Sequence, residues 1–94
     1  MVRIRASKLR DVELITDTGI RLGWVYDLLF EEDGGEEEKG RIIAILADPD
    51  EDLDISKFKV TKDGLLIIPI TAVKSIGEVI IIDSGKLSVV ARRR

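Results

Sequence analysis

An all-β barrel or sandwich is predicted by three features of the chain. Apolar residues fill 45% of its 94 positions and are mostly Ile, Val and Leu; the β-branched members favour strands. The apolar runs are short and separated by turn signals at Thr18-Gly19, Asp63-Gly64 and Ser84-Gly85. One longer stretch, from Ile20 to Phe30, is rich in strand formers and holds Gly23 inside it. A glycine there marks a bulge or sharp bend, which a small barrel needs in order to close. These features predict about six strands and one short helical turn. A chain of 94 residues makes one domain, spanning 1–94, with a single modest core.

The elements follow in order. Val2 to Arg5 alternates apolar and basic residues, as a short strand does. Ala6 to Arg10 reads as a turn or one helical turn, with Ser7 as its cap. Val12 to Thr16 is a second short strand. Asp17-Thr18-Gly19 then turns the chain back along Ile20 to Phe30 as a hairpin, with Gly19 supplying positive φ. Leu22 and Val25 are three apart, so strict alternation cannot put both on one face. A bend at Gly23 resolves this. Leu22, Val25 and Leu29 are then expected inside the barrel, and Trp24, Tyr26 and Leu28 outside.

Residues 31–40 contain six acids, three glycines and no apolar side chain, which predicts a mobile loop. Arg41 to Ala47 returns as a strand that is apolar on both faces. Asp48 to Asp54 is a second acidic loop. Its acids at 48, 50, 52 and 54 imitate calcium ligands, but Leu53 and Lys59 stand where an EF-hand needs Gly and Glu. No metal site is therefore expected. Lys59 to Thr61 and Leu65 to Pro69 flank an Asp-Gly turn, and Pro69 ends that strand. Ile70 to Val73 reads as one helical turn. Gly77 releases the chain into Val79 to Ile82. Asp83-Ser84-Gly85 reads as a last turn and Lys86 to Ala91 as a last strand, followed by the basic tail of residues 91–94.

Composition excludes several chemistries. With no Cys there are no disulfides or thiolate metal sites, and with no His there is no ordinary neutral-pH proton shuttle. Ser7, Ser56, Ser75 and Ser84 lack an evident activating partner. Gly34-Gly35 lies among acids, which repel phosphate. No apolar run approaches the ~20 residues of a membrane span and no signal peptide is evident, so a soluble cytoplasmic protein is expected. The chain also lacks Asn and Gln while 35% of it is charged, a composition that suits a thermophile.

Net charge is −3, unevenly spread. Eight of the 15 basic residues lie in 1–10 and 86–94, where there is no acid. That leaves 7 against 18 acids in 11–85, or −11. Basic ends on an acidic body suit an acidic partner or another copy of the chain. Nucleic acid is disfavoured, because phosphate binding needs local positive charge over several contacts.

The order Thr18-Gly19-x-x-Leu22-Gly23-x-Val25-x-Asp27, an acidic loop, an apolar strand to Ala47, then Leu65-Leu66-Ile67-Ile68-Pro69-Ile70-x-Ala72-Val73 and a final strand pair resembles the PRC-barrel family. The resemblance covers about residues 9–90. It implies a small, strongly bent PRC-type β-barrel similar in size to SH3-like barrels, with Gly19, Gly23, Asp27 and Pro69 as its structural motif. It implies a docking module and no catalysis or cofactor. Small archaeal members resemble partners of SepF, the membrane-tethered adaptor of the FtsZ ring. The alternative is a role in RNA processing or ribosome assembly, since the family's barrel also forms a domain of RimM. Asp27 is expected to accept backbone hydrogen bonds at the bend.

Two further expectations concern contacts. Ile42 to Leu46, Leu65 to Ile68 and Val79 to Ile82 are apolar on both faces, and a small barrel has only one inside. A homodimer covers the second face most simply. Trp24, Tyr26 and Leu28 are the expected interface residues, because rigid amphipathic rings suit binding hot spots; the alternative is that the bend at Gly23 turns the two rings into the core.

Overall fold

The computed structural model describes residues 2–4, 10–31 and 41–91. Most of the acidic loop expected over 31–40, most of the turn over 6–10, and the arginines at 92–94 lie outside the described residues. Among the described residues seven strands form one sheet: β1 Val2–Ile4, β2 Glu13–Thr16, β3 Arg21–Glu31, β4 Arg41–Pro49, β5 Leu66–Pro69, β6 Val73–Ile76 and β7 Val79–Ile82. A helix, α1 Ser84–Ala91, and two 3-10 turns, Ile55–Lys57 and Ile70–Ala72, complete the order.

The sheet runs β5-β4-β3-β2-β7-β6, with β1 paired to β3 beyond the point where β2 ends. Its two outermost strands, β5 and β6, are consecutive in the chain and joined only by the Ile70–Ala72 turn. The barrel is thus closed by covalent connection rather than by a ladder. Pro69 makes this turn possible: at φ −62° it stands at the cap position, and its missing N–H ends β5. The Ala72 carbonyl then accepts the N–H of Asp83 at 2.7 Å, tying the turn to the end of β7. β2 and β7 pair in parallel, the rest antiparallel.

The β2–β3 hairpin forms at Asp17-Thr18-Gly19, with Gly19 at φ +89°. The Thr16 hydroxyl secures it by accepting the N–H of Ile20 at 2.9 Å. As expected, the register breaks near Gly23: Leu14 opposes Gly23 and Ile15 opposes Arg21, so Leu22 is the extra residue of a bulge. Leu22 and Val25 are both 1% exposed. A second bulge follows, because Val25 opposes Ala47 while Asp27 opposes Leu46, leaving Tyr26 extra. This break resets the alternation. Leu28, expected outside, is 6% exposed and packs in the core. Leu29, expected inside, is half-buried on the other face.

Leu14, Leu22, Ile45, Leu66, Ile68, Ile80 and Ile82 form the centre of the core, each 0–2% exposed. β4 departs from expectation. Ala44, Ile45, Leu46 and Ala47 are all buried, on both faces, within one copy of the chain. The outer face of β4 therefore needs no second copy at Ala44 or Leu46.

Two elements differ from the sequence reading. Lys74 to Ile76 continue as β6 and pair with β7, where only a helical turn was expected at Ile70 to Val73. Lys86 to Ala91 is helical rather than a strand. The cause is local. The Asp83 carboxylate accepts the N–H of Gly85 at 2.9 Å, and the Asp83 carbonyl accepts the N–H of Lys86 at 3.0 Å. Asp83 is thus an N-cap, and the capped start outweighs the modest helix penalty of Val89 and Val90. Asp17 reinforces it from the β2–β3 turn, accepting both the N–H and the hydroxyl of Ser84 at 3.1 and 2.9 Å.

Candidate functional site

The outer surface of the β3-β2-β7 part of the sheet is the candidate site. On β2 and β7 the alternation is strict: Leu14, Thr16, Ile80 and Ile82 are buried, while Glu13, Ile15, Val79 and Ile81 are half-buried on the outer face. Registry joins these residues across the strands. Trp24 opposes Glu13, which opposes Val79; Arg21 opposes Ile15, which opposes Ile81. Ring and aliphatic side chains thus lie side by side around an ion pair between the Arg21 guanidinium and the Glu13 carboxylate.

Trp24 and Tyr26 flank the fully buried Val25 and are themselves half-buried, outside the barrel. Each ring lies under an arginine. The guanidinium carbon of Arg21 is 5.5 Å from the Trp24 ring centre, and that of Arg10 is 4.9 Å from the Tyr26 ring centre. At such distances the cation meets the negative face of the ring. Arg21 is held in place by its hydrogen bond to Glu13, which raises the guanidinium pKa further, with the Asp50 carboxylate 4.0 Å away. Asp48 opposes Trp24 in the ladder and also borders a shallow hollow beside Tyr26 with Asp63 and Leu65.

The remaining motif residues lie at turns, bulges and a strand end. Gly23 sits in the first bulge against the β4 backbone. Gly19 makes the hairpin turn and Pro69 ends β5. Asp27 is 9% exposed, and its Oδ1 accepts the N–H of Leu28 at 3.0 Å, beside the second bulge. Leu28 is a core residue and does not reach the outer face. The arginine stacking on both rings was not read from the sequence. Arg21 lies on the same strand as Trp24, but spacing alone does not tell which side of a bulge each residue takes. The half-buried Ile15, Val79 and Ile81 were read only as parts of apolar strands.

No group of three or more Asp and Glu residues placed to hold a metal ion occurs among the described residues. No described helix is long and apolar enough to cross a membrane. What the outer face offers is cation-capped rings, aliphatic side chains and fixed ion pairs, which are elements of a docking surface. No curated protein matches the chain. The family model described as the PRC-barrel domain matches residues 1–89.

Proposed function

The chain belongs to the PRC-barrel domain family, and on that premise we propose that it is a non-catalytic protein-interaction module that self-associates through the outer face of β2, β3 and β7. One observation carries this reading: Trp24 and Tyr26 stand half-buried outside the barrel, each held flat beneath an arginine. Rings fixed before binding lose little conformational freedom on binding. A two-fold contact presents the same patch from both copies, so Ile15, Val79 and Ile81 of each copy add apolar area around the rings.

The partner beyond a second copy that best suits the family resemblance is SepF, in archaeal cell division at the FtsZ ring. The missing Asn and Gln and the high charge fit a heat-adapted source. A RimM-like role on RNA is disfavoured by Glu13, Asp48 and Asp50 around Trp24, which oppose a phosphate backbone. The test is a calorimetric titration of purified SepF from the same organism into the chain, repeated with Trp24→Ala. Binding that the substitution weakens supports the reading. Absence of binding at micromolar concentrations removes SepF, and unchanged affinity in Trp24→Ala removes this face as its site.

A further inference from the structure

A second surface, away from Trp24, has different chemistry. Toward the other end of β4 from Asp48, the half-buried Leu29, Ile43 and Ile67 and the exposed Pro69 form the sheet side of a groove of about 620 Å³. Phe58 and the α1 residue Leu87 also line it. The same Phe58 and Leu87 also line a smaller hollow of about 210 Å³, where Ile20 is 53% exposed. Phe58 and Leu87 thus border both hollows, and the apolar floor continues on either side of them.

The charge around this floor is one-sided. Lys59 and Lys86 line the larger hollow and Lys57 the smaller, and no acid lines either one among the described residues. The chain as a whole is acidic, and the hollow at Tyr26 is lined by Asp48 and Asp63. Lys86 lies over the groove with its Nζ 3.5 Å from the Thr71 carbonyl, leaving donors of the ammonium free for a carboxylate.

We propose that this groove docks an acidic, amphipathic peptide segment of another protein, with one apolar anchor in each hollow and carboxylates on the three lysines. Charge complementarity favours that occupant over a neutral or basic one. Two apolar depressions that share Phe58 and Leu87 suit the spaced anchors of a peptide more than one compact ligand, which needs convergent polar groups to fix it. The groove is separate from the outer face of β2, β3 and β7, and the proposal stands whether or not that face self-associates.

The experiment is selection of a random twelve-residue peptide display library against the full chain, followed by anisotropy titration of the enriched peptides. Peptides with net negative charge and at least two large apolar residues are expected. Lys59 and Lys86 are both exposed, so the Lys59→Glu, Lys86→Glu double variant keeps the fold. It should bind about tenfold or more weakly. Amide shifts on the unmodified chain should cluster at Phe58, Ile67 and Leu87. Four results overturn the proposal: no enriched peptide, enrichment of neutral or basic peptides, unchanged affinity in the double variant, or shifts centred on Trp24.

Discussion

The Asp48 carbonyl fills the space where a side chain at Gly23 would begin. A Cβ there would lie 2.0 Å from the Asp48 oxygen, and Gly23 holds φ at +149°. Both obstacles belong to the backbone, so no rotamer relieves them. Gly23→Ala is therefore expected to destabilise the fold by about 3 kcal/mol or more, combining left-handed strain with overpacking. Urea denaturation measures this. A loss within about 0.5 kcal/mol, the range of neutral surface changes, would show that the bulge does not hold the two strands this closely.

Leu28 and Leu29 form a paired test of the second bulge. Leu28→Ala should cost about 2–5 kcal/mol of stability as a buried truncation. Leu29→Ala, on the half-buried face, should cost roughly 1 kcal/mol. Equal losses, or the reverse order, would mean that the alternation is not reset at Tyr26.

Asp17 links the β2–β3 turn to α1, and its carboxylate is held below the usual Asp pKa. The backbone N–H of Ser84 is the main cause, followed by the Ser84 hydroxyl and Lys74. A carboxylate with a lowered folded-state pKa stabilises the fold above its unfolded pKa, near 3.9. That contribution is lost as pH falls through the folded value. Asp17→Ala should therefore be less stable than the unmodified chain at neutral pH, and the gap should close on acidification below about pH 4. Thermal melts from pH 7 to pH 2 follow the gap. A gap that stays constant with pH would rule out this role for the carboxylate.

The parts of the fold legible in the sequence are those that local chemistry decides. Gly19 and Gly23 announced the turn and the first bulge because glycine alone fits those backbones. Pro69 announced the end of β5. The second bulge has no such marker, since Tyr26 tolerates a bulge without requiring one, and so Leu28 and Leu29 were exchanged. The last segment misled because the β-branched Val89 and Val90 favour strands. Its helical start depends on Asp83 and on Asp17, which lies 67 residues before Ser84 and accepts its N–H. At the candidate site the sequence marks Trp24 and Tyr26 as the rings to place, on an outer face or in the core, whereas Arg10 and Arg21 above them emerge only once the strands are folded together. The expected cover for β4 was also misjudged: Leu46, on the face opposite the core, is already 1% exposed in a single copy.

Sedimentation equilibrium decides whether the face carrying Trp24 is an interface. The chain mass is 10.5 kDa. The unmodified chain is expected to sediment at twice that mass at micromolar concentration. Trp24→Ala and Tyr26→Ala should each weaken association by about 2 kcal/mol, roughly 30-fold, as hot-spot truncations do. Each variant should keep the strand signature of the fold by circular dichroism. A 10.5 kDa particle for the unmodified chain, or a dimer that Trp24→Ala leaves intact while the variant melts far earlier, would contradict an interface there.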